Sequence, residues 1–250
     1  MSGHSKWSSI KRQKGVNDAK RGAIFTKMGK EISVAARVGG PDPEGNYRLR
    51  LAVDKARSVN MPAENIKRAI ERAAGGDKAA VYEEIVYEGY GPGGVAILVE
   101  TATDNKNRTA ADVRSIFAKS GGQLAGSGSV AWQFEPRGVV SVGLGGSDPD
   151  DIALLAIDAG ASDVDTSGDP LEVMTEPGDL EAVRASLEAA GLKVESAELT
   201  MQAKAPVAVD VDRARQNLRL IENLEDNDDV QRVTANFELP DEILAEAAAS

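Results

Sequence analysis

Cysteine is absent from all 250 residues, and the only histidine is His4. Without thiols there are no disulfides, no thiolate metal sites and no cysteine nucleophile. One histidine near the start of the chain furnishes neither a His-based zinc site nor a Ser-His-Asp triad. Aromatic residues make up 4% of the chain against 42% apolar residues in total, so its cores must be built mainly from Ala, Val, Leu and Ile. No window approaches the roughly 18–20 apolar residues that span a bilayer. The N-terminus lacks the apolar stretch of a secretory signal. It is basic and poor in acids, as a mitochondrial presequence is, but the same stretch also reads as a folded helix, and a cytoplasmic location is expected. No metal, cofactor, small-molecule substrate or membrane partner is expected.

A basic overall charge is also lacking: the net charge is −11. Its distribution is uneven. Residues 1–80 carry 17 Lys and Arg against 8 Asp and Glu, whereas the remaining 170 carry 12 against 32. A basic module is thus joined to an acidic body. The field that guides a polyanion is local, so overall acidity does not forbid binding at one end.

The basic part begins with a polar arm, residues 1–18, holding Lys6, Lys11, Arg12 and Lys14 against the single acid Asp18. Such an arm can order on a phosphate backbone. Trp7 among these cations reads as an anchor tying the arm to the helical domain, with base stacking as the sharper alternative. Residues 19–37 then predict a helix: Ile24, Phe25, Met28, Ile32, Ala35 and Ala36 fill an arc of about 120° on the helical wheel. Lys20, Lys27, Lys30 and Arg37 fall on the other side, balanced only by Glu31. The bland interpretation is a solvated charged face; the one favoured here is a binding face, with Arg21 beside it. Reversing Lys20, Lys27 and Lys30 to Glu is then expected to abolish binding and leave the fold intact.

Gly39-Gly40-Pro41 stops this helix. A second is predicted near 46–59, with Leu49, Val53 and Ala56 inward and Arg48, Arg50, Lys55 and Arg57 outside. A third opens at Pro62, carries Glu64 in its first turn, and stops at Gly75-Gly76. These make a basic helical nucleic-acid-binding domain over 1–77.

Beyond it the period changes. Residues 82–88 and 95–101 read as strands joined by Gly89-Tyr90-Gly91-Pro92-Gly93-Gly94. Because this glycine-rich stretch leads into a strand instead of a helix, a hairpin turn is favoured over a phosphate cradle. A helix capped within 104–109 runs to about 119, and 129–135 reads as a strand. Residues 138–200 follow the order β-α-β-β-α-β of a ferredoxin-like unit. A helix over 211–224 and a strand over 230–237 complete the sheet begun at 81. The fold class is therefore α+β multidomain: three helices, then two α/β domains, a middle one over 78–136 plus 201–240 and a ferredoxin-like one over 137–200 inserted into it.

Two nucleotide motifs fail on context. Gly126-Ser127-Gly128-Ser129-Val130-Ala131 fits G-x-G-x-x-A but enters a strand. Gly29-Lys30 is followed by Glu31, where a P-loop needs Ser or Thr. The acids Asp148, Asp150 and Asp151 suit a helix start. Glu225, Asp226, Asp228 and Asp229 lack the spacing of a calcium loop and read as solvated loop.

Several strings resemble the YebC family, whose relatives include the mitochondrial translational activator of cytochrome oxidase. They are Gly3-His4-Ser5-Lys6-Trp7, Asp18-Ala19-Lys20-Arg21-Gly22, Phe25-Thr26-Lys27, Val53-Asp54-Lys55-Ala56, the 87–94 stretch, Asp104-Asn105-Lys106-Asn107-Arg108-Thr109, Glu188-Ala189-Ala190-Gly191-Leu192 and Asp228-Asp229-Val230-Gln231. The resemblance implies a three-domain protein with the third domain set inside the second, and no enzymatic activity. It implies a DNA-binding transcriptional regulator or, alternatively, a factor that binds the ribosome and its RNA and helps it through stalling, proline-rich sequences. The family's basic N-terminal motifs map onto Lys6, Lys20, Arg21 and Lys27. The residues alone favour neither target, because phosphate contacts dominate both and carry no sequence information. The second and third helices are compatible with a helix-turn-helix for reading duplex DNA.

Overall fold

The computed structural model describes residues 18–75 and 81–249. The first layer is helical: α1 (Asp18–Gly39), α2 (Tyr47–Ser58) and α3 (Ala63–Ala74). The predicted stripe of α1 forms its core, Met28, Ile32, Ala35 and Ala36 packing on Leu49, Val53 and Ala56 of α2 and Ile66 and Ala69 of α3. Asn46 fixes the corner between α1 and α2. Its Oδ1 caps α2 by accepting from the Leu49 N–H at 3.1 Å, and its Nδ2 donates to the Ala35 and Gly40 carbonyls, both at 2.8 Å. Pro62 stands at the N-cap of α3, just before the helix. One feature of α2 was not foreseen: Leu51 turns away from the bundle and joins the core of a different layer.

The second layer is a sheet of β1 (Glu83–Tyr90), β2 (Ala96–Thr103), β3 (Gln123–Leu124) and β8 (Val230–Ala235) in the order β3-β1-β2-β8. Its helices are α4 (Lys106–Lys119) and α7 (Val211–Glu225). The continuous apolar run of β2 follows from burial on both faces. Ile97 and Val99 pack with Val113 and Phe117 of α4 and Leu220 and Ile221 of α7. Ala96 and Leu98, pointing oppositely, pack with Val130 and Phe134.

The glycine-rich stretch between β1 and β2 is the expected hairpin connection. The Gly91 N–H donates to the Val95 carbonyl at 2.8 Å, and Gly93 and Gly94 take positive φ of 83° and 79°. The turn also docks on α7: the fully buried Asn217 donates through Nδ2 to the Pro92 carbonyl at 2.8 Å. A Cβ on Gly91 would sit 2.0 Å from Asn217 Oδ1. Gly91→Ala is therefore expected to cost about 1–3 kcal/mol, the usual range for overpacking. A chemical denaturation midpoint equal to that of the parent would show that the turn gives way freely.

The third layer is built from β4 (Phe134–Gly143), α5 (Pro149–Asp158), β5 (Asp163–Asp165), β6 (Leu171–Thr175), α6 (Leu180–Ala189) and β7 (Lys193–Ala203). The strand order is β5-β6-β4-β7, with all pairs antiparallel. This is the ferredoxin-like arrangement, with Val140, Val142, Leu171 and Val173 packing on Ile152, Leu180, Val183 and Leu187. The chain then passes through α7 and returns as β8 beside β2, so the ferredoxin-like unit is inserted into the preceding sheet. α8 (Asp241–Ala249) follows.

One predicted strand starts late. Residues 131–133 form a 3-10 turn, and the strand expected from 129 begins at Phe134. The reason is Glu88, whose carboxylate takes the N–H groups of Gly128, Val130 and Ala131 at 2.6, 2.6 and 2.8 Å, while those of Ser129 and Gln133 close local turns on the Gly126 and Val130 carbonyls. Among the described residues no helix is long and apolar enough to cross a membrane.

Candidate nucleic-acid interface and the junction behind it

α1 leaves the helical layer and crosses the middle sheet, and this crossing decides where its cations go. Lys30, drawn on the cationic side of the helical wheel, is 7% exposed. Its Nζ lies 2.5 Å from Asp229 Oδ1 and donates to the Asp228 carbonyl at 2.9 Å. It also lies 5.7 Å from the centre of the Tyr82 ring. Asp229, 3% exposed, is the hub of this junction. Its second oxygen accepts from Thr109 Oγ1 at 2.7 Å, Arg108 Nη2 at 2.8 Å and Thr103 Oγ1 at 3.2 Å. Burial alone pushes the Asp229 carboxyl upward; the bonds from Lys30, Arg108 and Thr109 outweigh it and hold the group far below the usual carboxylate range.

Lys27, one turn earlier and half-buried, donates to the Glu225 carbonyl at the C-terminal end of α7. A cation suits that end of a helix dipole. Burial lowers its pKa, opposed by Glu225, Asp228 and Asp226. The expectation of an outward binding face containing Lys27 and Lys30 is thus corrected: both are struts between α1 and the 225–229 segment. That segment is a solvated loop only in part: Asp226 and Asp228 are exposed, whereas Asp229 is buried and the Glu225 and Asp228 carbonyls accept from Lys27 and Lys30. Reversing Lys30 to Glu would place two carboxylates together in the interior, so the fold would not stay intact.

The cations of α2 are similarly engaged. Arg48 pairs with Glu84, Arg50 with Glu181 at 3.7 Å, and Lys55 with Glu31 at 3.2 Å and Glu198 at 3.7 Å. Arg57 pairs with Asp54 at 3.4 Å. Because α2 lies between two layers, Arg48, Arg50 and Lys55 reach acids of neighbouring elements, whereas Arg57 pairs within α2 and stays exposed. The outer side of α3 carries Glu64, Lys67, Arg68, Glu71 and Arg72, with Lys67–Glu71 and Arg68–Glu64 close enough to pair at 3.8 and 4.0 Å. It is nearly neutral, and its first turn presents an acid.

Of the remaining predicted contacts, Arg21 is exposed near the start of α1. Lys6, Lys11, Arg12, Lys14 and the side chain of Lys20 lie outside the described residues, as does Trp7. The G-x-G-x-x-A string does hold an anion, but an internal one. Its N–H groups bind Glu88, whose pKa burial raises and the three donors lower, with a net decrease. Among the described residues no cluster of three or more His, Cys, Asp or Glu is placed to hold a metal.

The family model described as the TACO1/YebC protein N-terminal domain matches residues 5–76, and that described as the TACO1/YebC second and third domain matches 82–237. The chain belongs to the TACO1/YebC family. A probable transcriptional regulatory protein of Rubrobacter xylanophilus is 55% identical over 249 residues, covering 99% of this chain and all of the relative. A protein of the same description from Roseiflexus castenholzii is 56% identical, covering 97% of each. The crystal structure of a conserved hypothetical protein from Aquifex aeolicus superposes with a TM-score of 0.85 at 44% identity, covering 91% of this chain and 94% of that one.

Two of the family strings meet at Asp229, residues 104–109 at the start of α4 and residues 228–231 before and into β8, while Lys27 of Phe25-Thr26-Lys27 reaches the nearby Glu225 carbonyl. Sequence reasoning missed Asp229 as their meeting point. The available signal was a carboxylate directly before the apolar start of β8, where an unpaired charge is costly.

Proposed function

We propose that this chain is a non-enzymatic regulator of gene expression that grips a nucleic-acid backbone through its basic N-terminal segment, acting in the cytoplasm. The observation that carries this is the division of charge, a surplus of cations in residues 1–80 and of acids in the rest. The ion pairs described above narrow it. Lys27 and Lys30 are held inside the junction, so the contact is assigned to Lys6, Lys11, Arg12, Lys14, Lys20 and Arg21, with Arg48 and Arg57 exposed in surface pairs. The names of the relatives support a regulatory role, with DNA as the target they imply. The near-neutral outer side of α3 favours the second reading, RNA of the ribosome, because a groove-reading helix works against phosphates with cations.

The test is sedimentation of the native protein through a sucrose gradient of cell lysate, untreated and after RNase or DNase. Comigration with heavy particles that one nuclease abolishes is expected, and the effective nuclease identifies the target. A protein that stays at the top of all three gradients contradicts the proposal.

A further inference from the structure

Trp132 is 68% exposed and Tyr90 37%, in a chain with few aromatic residues. Neither ring is loosely held. The Trp132 Nε1–H and the Tyr90 hydroxyl both donate to the Ser129 carbonyl, each at 3.1 Å. The two polar tips therefore lie within about twice that distance of one another, and each ring is tethered by its single polar atom, Trp132 largely and Tyr90 partly open to solvent.

The surroundings are unusual for this acidic chain. Residues 113–134 contain Arg114 and Lys119 and no acid, and residues 199–209 contain Lys204 and no acid. Lys204 lies beside the platform, its backbone N–H donating to the Gln133 carbonyl at 2.9 Å. Lys119 ends the helix that leads to Gly121-Gly122, and Gly122 backs onto the Tyr90 carbonyl. Both lysines are exposed, and neither forms an ion pair among the described residues. Of the acids close in sequence, Glu88 is withdrawn into the Gly128–Ala131 amides and Glu135 is paired with Arg137. The adjoining segments Gly121-Gly122-Gln123 and Gly126-Ser127-Gly128-Ser129 are rich in small residues, which lets another chain approach closely. A protein-docking centre would instead surround its aromatics with apolar side chains.

We propose that Trp132 and Tyr90 form a stacking platform for an unpaired nucleobase, with Lys119 and Lys204 facing the adjoining phosphates. Open aromatic faces beside cations are what single-stranded nucleic acids bind, and duplex bases, stacked on one another, do not offer their faces. The proposal rests on the nucleic-acid reading above and deepens it, making the preferred target single-stranded.

The test uses the full chain in a Trp7→Phe background, where Trp132 is the only tryptophan, with short oligouridylate and the duplex it forms with oligoadenylate as probes. Oligouridylate is expected to quench the Trp132 emission and the duplex to leave it unchanged. Trp132→Ala is expected to weaken oligouridylate binding about five- to a hundredfold. Trp132→Phe, which keeps a ring, should retain most of it, and the exposed site predicts unchanged melting for both. Binding that leaves the emission unaltered, or that survives Trp132→Ala in full, overturns the platform while leaving the basic segment as the binding element. A parent protein that binds neither probe overturns both readings.

Discussion

Asp229→Ala is expected to destabilise the protein by about 3–5 kcal/mol, the range for removing one partner of a buried ion pair. The carboxylate is nearly inaccessible and touches Lys30, Arg108, Thr103 and Thr109 at once. Its loss strands an ammonium group in the interior. Lys30→Met is expected to cost less, because Arg108 and two hydroxyls still serve Asp229. The double variant should lose less than the sum of the two, since each single change removes the same contact. Denaturant titrations followed by circular dichroism measure all three; strict additivity would show that Lys30 and Asp229 do not act together.

The same pair sets a pH dependence. A carboxylate whose pKa is depressed in the folded state contributes stability that is complete above its unfolded value, about 3.9 for Asp, and is lost as pH falls through the folded value. Asp229 and Glu88 are both depressed. The parent should therefore lose stability progressively below about pH 4, and Asp229→Ala should lose it less steeply there. Equal slopes would place the acid sensitivity elsewhere.

The layers of this fold were largely legible in the sequence because each has a clean period. The stripe from Ile24 to Ala36 marked α1, the run Val95 to Val99 marked a doubly covered strand, and the β-α-β-β-α-β order specified the ferredoxin-like unit. What periodicity does not encode is how layers meet. A helical wheel separates apolar from charged sides, but it cannot tell a charged side facing water from one facing another layer's acids. Lys27 and Lys30 were misplaced for that reason, and Asp229 for the complementary one. Glu88 shows the same limit. Its partners are backbone N–H groups some forty residues away, and they turned a predicted strand start into a 3-10 turn. Leu51, apolar on the wrong side of α2, was the visible sign that this helix lies between two cores.

Reversal of Lys6, Lys11, Arg12, Lys14, Lys20 and Arg21 to Glu is expected to abolish nucleic-acid binding. Melting and circular dichroism of the reversed chain, set beside the parent, separate a loss of binding from a loss of the fold. The size of the effect follows from counterion release. Six phosphate contacts give a slope of about −5 in log affinity against log salt on duplex, and about −4 on single strands. Affinity of the parent should then fall about a thousandfold on duplex and about three-hundredfold on single strands between about 50 and 200 mM salt, and the reversed chain should show no measurable binding at either. That titration, parent against reversed chain on the same probe at several salt concentrations, tests the central claim directly. A steep slope in the parent with binding lost in the variant is the predicted result. A flat slope, or a variant that binds as tightly as the parent, would contradict it.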